Sequence, residues 1–112
     1  MADQEFRRAG STLAVSGGTP TTLWTAGGYD TIIGIRLANK TAVAQTADVW
    51  ISVGGSTTVY LAKTLSISPG ASVELVQGGA KIVMQNTDIL KAEASLASSI
   101  DAYVSIVDGI SD

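Results

Sequence analysis

The sequence predicts a single all-β domain: a β-sandwich or jelly-roll-like barrel of about eight or nine short, mostly antiparallel strands. Three observations support this fold class. Paired glycines recur along the 112-residue chain, and glycine supplies the positive φ that tight turns need. Between them lie short segments rich in Val, Ile and Thr, which suit a pleated, half-buried surface. Apolar and polar residues alternate within most of these segments, as in a strand with one buried face.

Turn signals divide the chain into nine predicted strands. The signals are Gly17-Gly18, Gly27-Gly28, Gly54-Gly55, Ser68-Pro69-Gly70, Gly78-Gly79 and Asn86-Thr87-Asp88. The predicted strands are 11–16, 21–25, 31–38, 46–53, 57–63, 71–77, 80–85, 88–96 and 100–107. Segment 88–96 also contains good helix formers. Its apolar residues nevertheless fall at alternate positions, which favours a strand.

Alternation also predicts the buried face of each strand. A slip of one residue would move a whole set of apolar side chains into water, so the assignment constrains the strand register. The predicted inward residues are Ile33, Ile35, Leu37, Ala47, Val49, Ile51, Val53, Val59, Leu61, Val73, Leu75, Ile82, Met84, Ile100, Ala102, Val104 and Ile106. Ile32 and Val83 are predicted to face outward.

Two hairpins follow from these faces. A two-residue turn at Gly78-Gly79 would set Leu75 opposite Ile82, which keeps apolar residues on one face. A two-residue turn at Gly54-Gly55 would mix the faces of its strands. The three-residue loop 54–56 restores them and places Trp50 directly across from Tyr60.

The first ten residues break the strand pattern. They contain four charged side chains and, after Met1, only Phe6 as a sizeable apolar residue. We therefore predict two parts, an N-terminal arm with a weak strand over 1–16 and a β-sandwich domain over 17–112. We expect the arm to bind a neighbouring subunit.

Composition excludes several classes of function. The chain contains neither Cys nor His, which removes disulfides, zinc fingers, haem ligation and nucleophiles activated by His. A net charge of −3 leaves no basic surplus for phosphates, so we expect no nucleic-acid partner. No apolar run approaches the ~20 residues of a membrane helix. The acidic first residues do not resemble a signal peptide. We expect synthesis in the cytoplasm, no secretion and no membrane partner.

The carboxylates do not form a catalytic pattern. Asp48, Glu74, Glu93 and Asp101 alternate with predicted core residues and are expected to be surface charges, whereas Asp88 is expected to bond its own turn. No Asp-x-Asp-x-Asp spacing indicates a calcium loop. We predict no enzymatic activity, no cofactor and no metal.

Outward aromatic residues are the most informative anomaly. Trp50, Tyr60 and Tyr103 fall on otherwise polar faces. The arm or another sheet could cover them, a subunit or partner could bind them as anchors, or sugars could stack on them. The predicted interface residues are Phe6, Arg7, Arg8, Trp50, Tyr60 and Tyr103.

Several segments resemble those of small virion proteins of tailed bacteriophages. The similar segments are TIIGIRLANKT at 31–41, YLAK at 60–63, ISPGASVEL at 67–75, KIVM at 81–84 and DILK at 88–91, with a final alternating strand over 101–107. The resemblance covers residues 30–108 and leaves the arm outside. It implies head decoration (cement) proteins or accessory parts of the neck and tail, which form homo-oligomers without enzymatic activity.

The leading hypothesis is a structural virion protein that forms a homotrimer or larger ring and binds the major capsid protein or neck and tail proteins. The alternative is a neck, tail or fibre accessory β-sandwich that binds carbohydrate or another tail protein. An enzyme is a distant third.

Overall fold

Nine strands are found in the computed structural model, which describes residues 5–15, 17–76 and 81–108. They are β1 (Glu5–Thr12), β2 (Thr21–Thr25), β3 (Asp30–Asn39), β4 (Gln45–Val53), β5 (Thr57–Ile67), β6 (Ser72–Glu74), β7 (Ile82–Met84), β8 (Ile89–Ala94) and β9 (Ile100–Asp108). The predicted all-β class is confirmed. The described residues include no helix long and apolar enough to cross a membrane.

The strands form two antiparallel sheets. Sheet 1 has the order β1-β9-β3, and both β6 and β7 then pair with β3. Sheet 2 has the order β2-β8-β4-β5. The two sheets pack face to face as a β-sandwich, because each has one apolar face that must leave water.

The core lies between the sheets and follows the predicted alternation most closely in β8 and β9. Every second residue of β9, from Ile100 to Ile106, is buried. The largest fully buried apolar side chains are Leu13, Ile32, Ile35, Leu37, Val49, Ile67, Met84, Leu90, Ile100, Val104 and Ile106.

A β-bulge in β3 reverses the predicted faces at its start. Ile32 pairs with Ile106, but the next pair joins Gly34 to Ser105, so Ile33 is an extra residue. Ile32 is therefore fully buried and Ile33 is 37% exposed, the opposite of the prediction. A bulge shifts the register by one residue, and simple alternation carries no sign of it.

The predicted hairpin of strands 71–77 and 80–85 is wrong. β6 and β7 do not pair with each other; both run antiparallel to β3, one after the other along the same edge. Both arrangements turn the apolar residues inward, so the alternating pattern could not distinguish them. The predicted turn Gly78-Gly79 lies outside the described residues.

The hairpin of β4 and β5 is confirmed. Its loop spans residues 54–56, with Val53 opposite Thr57 and Trp50 opposite Tyr60. Gly54 and Gly55 have φ of 64° and 79°, values that favour glycine. Because β5 is an edge strand whose first residues are exposed on both faces, Val53 and Val59 are also exposed, contrary to the prediction.

The described part of the predicted arm, residues 5–15, consists mainly of strand β1. This strand spans Glu5–Thr12, earlier than the predicted 11–16, and pairs with β9 of the same chain. As an edge strand it needs a backbone partner more than an apolar face, which explains its weak alternation. Exchange of this segment between subunits stays a prediction.

The bulge in β3 can be tested by paired substitutions. Ile32→Ala should lower the free energy of unfolding by about 2–5 kcal/mol, because it leaves a cavity in the core. Ile33→Ala should cost less than about 1 kcal/mol, because its side chain is partly exposed. Urea denaturation of both variants measures the difference. Equal losses would contradict the bulge.

Candidate functional site

Two of the predicted interface residues meet on the outer face of sheet 2. Trp50 and Tyr60 lie directly opposite each other on β4 and β5. Their ring centroids are 5.6 Å apart and the ring planes are tilted by 55°, a favourable aromatic geometry. Trp50 is only 8% exposed in the single chain, whereas Tyr60 is 47% exposed. Tyr60 is therefore the member of this pair that a partner could contact.

Lys63 extends this aromatic pair with a positive charge. Its Nζ lies 4.9 Å from the centroid of the Tyr60 ring, within reach of a cation–π interaction. The same Nζ is 3.4 Å from Oδ2 of Asp48. The hydrogen bond to Asp48, together with its charge, raises the pKa of Lys63 above its ordinary value. Lys63 is thus held as a cation beside Tyr60.

Asp48 also organises the backbone under Lys63. Its Oδ1 accepts a hydrogen bond of 2.7 Å from the backbone N–H of Thr64, which has a positive φ of 53°. The register of β5 shifts here, so Lys63 and Thr64 together face Asp48. The sequence interpretation of Asp48 as a surface charge missed this role, because the bulge that it supports leaves no signal in the alternation.

Tyr103 lies on the opposite side of the molecule. It projects from the outer face of sheet 1 and is 49% exposed. Gly10, Tyr103, Arg36 and Glu74 are aligned as one row across β1, β9, β3 and β6. An open depression of about 510 Å³ lies along this row and is also lined by Asp101. Gly10 has no side chain to fill the space beside Tyr103.

Asp101 carries the negative charge of this depression. Its Oδ1 accepts a hydrogen bond of 2.7 Å from the Thr12 hydroxyl and lies 3.1 Å from Nζ of Lys40. The hydrogen bond from Thr12, followed by the interaction with Lys40, holds the pKa of the Asp101 carboxyl below its ordinary value. Asp101 is therefore ionised over a wider pH range than a free aspartate.

The remaining predicted interface residues lie on β1. Phe6 is 83% exposed and lies opposite Val107 on the outer face of sheet 1. Arg8 is exposed and lies opposite Ser105 on the same face. Arg7 points to the other side, opposite Ile106, and its Nε lies 2.7 Å from Oδ2 of Asp108.

Phe6 begins a row of largely apolar residues that crosses sheet 1. The row continues through Val107 and Thr31 to Val83, which is 64% exposed. The bulge residue Ile33 adds a further exposed apolar side chain next to it. The sequence interpretation missed the row, because it depends on pairings of β9 with β1 and of β7 with β3 that alternation does not specify.

Five of the six predicted interface residues thus form two groups on opposite faces of the sandwich. Phe6, Arg8 and Tyr103 share the outer face of sheet 1, and Trp50 and Tyr60 share that of sheet 2. β1 lies beside β9 in sheet 1, so the described part of the arm does not cover Trp50.

Two further carboxylates bond backbone groups at irregular points of the fold. Asp88 accepts from the N–H of Gln85 in its own turn, as expected, and also from the N–H of Gly54 in the β4–β5 loop, both at 2.9 Å. Glu74 accepts from the N–H of Ile35 at 2.6 Å. Among the described residues no group of three or more acidic side chains could hold a metal ion.

No protein-family model and no curated protein sequence matches the chain.

The lowered pKa of Asp101 can be tested by removing the hydroxyl group that donates a hydrogen bond to it. Thr12→Val should raise the pKa of the Asp101 carboxyl, measured by the NMR shift of its carboxyl carbon against pH. A carboxyl whose pKa is depressed by folding stabilises the fold above its unfolded pKa, and that stability is lost as pH falls through the folded pKa. The variant should therefore lose less stability on acidification. Thr58→Val, on β5, is the control. An unchanged Asp101 titration in Thr12→Val would contradict this account.

Proposed function

We propose that the protein is a non-enzymatic structural protein of a phage virion, which self-associates and binds neighbouring capsid subunits as a decoration or cement protein. The resemblance of segments 31–41, 60–63 and 67–75 to small virion proteins supports this proposal, as does the sandwich fold. The observation that carries it furthest is the row from Phe6 to Val83 on the outer face of sheet 1.

Exposed apolar groups in this row favour a binding surface. Single exposed apolar residues are common on proteins, but several on one sheet face favour an interaction site. Phe6, Val83 and the neighbouring Ile33 are exposed, whereas Thr31 in the row is buried. Phe6 and Val83 are 83% and 64% exposed, so most of the surface of both side chains is free to be buried by a partner. Complete burial of such a side chain contributes about 1.5–3 kcal/mol.

The carboxylates support a structural role. Asp48, Glu74 and Asp88 each accept hydrogen bonds from backbone N–H groups at a bulge, a strand end or a turn. A carboxylate bonded in this way maintains chain geometry. A paired acid and base facing a cleft would instead be expected in a hydrolase.

A second candidate function rests on the depression beside Tyr103. The half-exposed ring, with the Arg36 guanidinium and the Asp101 carboxylate nearby, offers a stacking surface and hydrogen-bonding groups. These groups suit a sugar ring as well as a polar protein segment. This favours the alternative of a neck, tail or fibre accessory that binds carbohydrate. A glycan array, with Tyr103→Ala as the variant, tests it.

Particle labelling tests the proposal directly. Gold-labelled antibody against a C-terminal tag, applied to purified virions of the phage that encodes the chain, should decorate the head at regular spacing. Label confined to the neck, tail or fibres would favour the alternative. Particles without label would overturn the assignment to a virion.

Substitutions on the row test which surface binds. Phe6→Ser and Val83→Ser should each reduce occupancy on particles at least about tenfold, because each removes apolar contact area worth more than 1.4 kcal/mol. Val43→Ser is the matched control, since Val43 is 65% exposed but lies in the loop after β3. Densitometry of purified particles measures occupancy. Equal losses in all three variants would show that the row has no special role.

A further inference from the structure

Strand β1 has the most regular edge of the described sandwich, although it carries Arg7 and Arg8. Edge strands usually avoid pairing with other chains through bulges, interruptions, prolines or charged side chains. β5 has two register shifts and carries Lys63, β2 has a register shift after Thr22, and the edge formed by β6 and β7 is interrupted. The register of β1 on β9 runs without a shift from Glu5 to Thr12.

The direction of the backbone groups of β1 follows from one hydrogen bond. The N–H of Leu13 donates to the carbonyl of Ile100 at 2.9 Å, so Leu13 and Ile100 form a hydrogen-bonded pair. In an antiparallel ladder such pairs alternate with non-bonded ones. The odd-numbered residues of β1 therefore bond β9. The N–H and C=O groups of Phe6, Arg8, Gly10 and Thr12 point to the open edge.

We propose that β1 of one copy pairs antiparallel with β1 of a second copy around a two-fold axis, joining two copies of sheet 1 into one continuous sheet. This contact would be the structural basis of the self-association in the proposed function. The inference rests on that self-association. The occupant of the edge is a second copy because β1 is complementary to itself in one register, both in its backbone groups and in its side chains.

The backbone groups select a register centred on Ala9. It pairs Phe6 with Thr12 and Arg8 with Gly10, so every outward group of both copies is used and each pair forms two hydrogen bonds. A register centred on Arg8 would set Arg8 against its own copy, which is repulsive, and would place Thr12 opposite residue 4, outside the described residues. A register centred on Gly10 would leave Phe6 unpaired.

Side chains on the outer face also agree with the register centred on Ala9. Arg8 would lie opposite Gly10 of the second copy, in the same cross-strand row as Tyr103 of that copy. Because Gly10 has no side chain, the guanidinium can extend over it toward the ring of Tyr103, a cation–π arrangement. Asp101 adds negative charge to the depression that Arg8 would enter.

A two-fold contact of this kind closes after two copies. It predicts a dimer, in contrast to the homotrimer or larger ring of the leading sequence hypothesis. The mass in solution therefore distinguishes the two arrangements. In this dimer β1 keeps its place on β9 of its own chain, so no exchange of the arm is needed.

A single introduced cysteine tests the register. In the proposed dimer Ala9 faces Ala9 of the second copy as a non-bonded pair, with Cα atoms about 4.5 Å apart, which suits a disulfide. Since the natural chain has no Cys, any disulfide formed by Ala9→Cys joins two copies. Ser11→Cys is the matched control on the same face of β1. Its counterpart in the second copy would be about 14 Å away. Mild oxidation should cross-link Ala9→Cys and leave Ser11→Cys monomeric on a non-reducing gel.

A proline tests the outward hydrogen bonds. The N–H of Gly10 points away from β9, so Gly10→Pro should preserve the fold but weaken the dimer at least tenfold. Gly10→Ala is the control for the hydrogen bond, because it keeps the N–H and its Cβ would lie 3.7 Å from the Tyr103 ring, an ordinary contact. Its methyl group also occupies space over which Arg8 would extend, so this variant should weaken the dimer less than Gly10→Pro does. Light scattering after size exclusion measures the mass of both variants in solution, at about 100 μM, well above a micromolar Kd. Circular dichroism checks that each variant is folded. If Gly10→Pro does not fold, the cysteine pair alone decides.

A monomeric wild-type protein at about 100 μM, well above a micromolar Kd, would overturn the inference. So would an oligomer of any size in which Ala9→Cys does not cross-link, or cross-links no faster than Ser11→Cys. An oligomer without this contact leaves the proposed virion function intact. A cross-linked dimer that is missing from virions would overturn the proposed function and leave the edge contact standing.

Discussion

The backbone of Leu13 and Ala14 hydrogen-bonds to both sheets, and the position of β1 depends on it. The N–H of Leu13 donates to Ile100 at the start of β9, in sheet 1. The carbonyl of Ala14 accepts from Ala94 at the end of β8, in sheet 2. Leu13 is 1% exposed, so its side chain is anchored in the core at the same point. The chain therefore crosses from sheet 1 to sheet 2 at Leu13 and Ala14. This crossing sets β1 along β9 before the chain enters β2.

Fixing β1 in this place gives sheet 1 the surface on which the functional proposals rest. The pairing with β9 brings Phe6 beside Val107, and Gly10 beside Tyr103. Without that pairing, the exposed apolar row and the depression would each lose one side. The segment that is least like a strand in sequence therefore completes both surfaces. It also leaves a regular open edge, because nothing after the crossing folds back to cover it in the described strands.

Sequence alone predicted those strands that lie over the core along their whole length. β8 and β9 alternate without interruption, because each residue on one face contacts the opposite sheet and each on the other face meets solvent. The wrong predictions lie where pairing with a distant strand, and not the local alternation, determines the structure. The bulge at Ile33 follows from pairing with β9, and the order of β6 and β7 follows from competition for the edge of β3. Both depend on residues far apart in sequence, so the alternating pattern of a single segment cannot reveal them.

The predicted interface residues show the same difference between what local alternation indicates and what strand pairing determines. Tyr60 and Tyr103 were recognisable from sequence, because an aromatic residue at a polar position of an alternating strand stands out, and both are about half exposed. Trp50 stood out for the same reason, and its place opposite Tyr60 followed from the predicted hairpin register, but the sequence did not indicate that it is covered in the single chain. Alternation gives the side of a sheet on which a residue lies. What covers it depends on neighbours from other strands, so an exposed binding surface has to be derived from the pairing of all strands together.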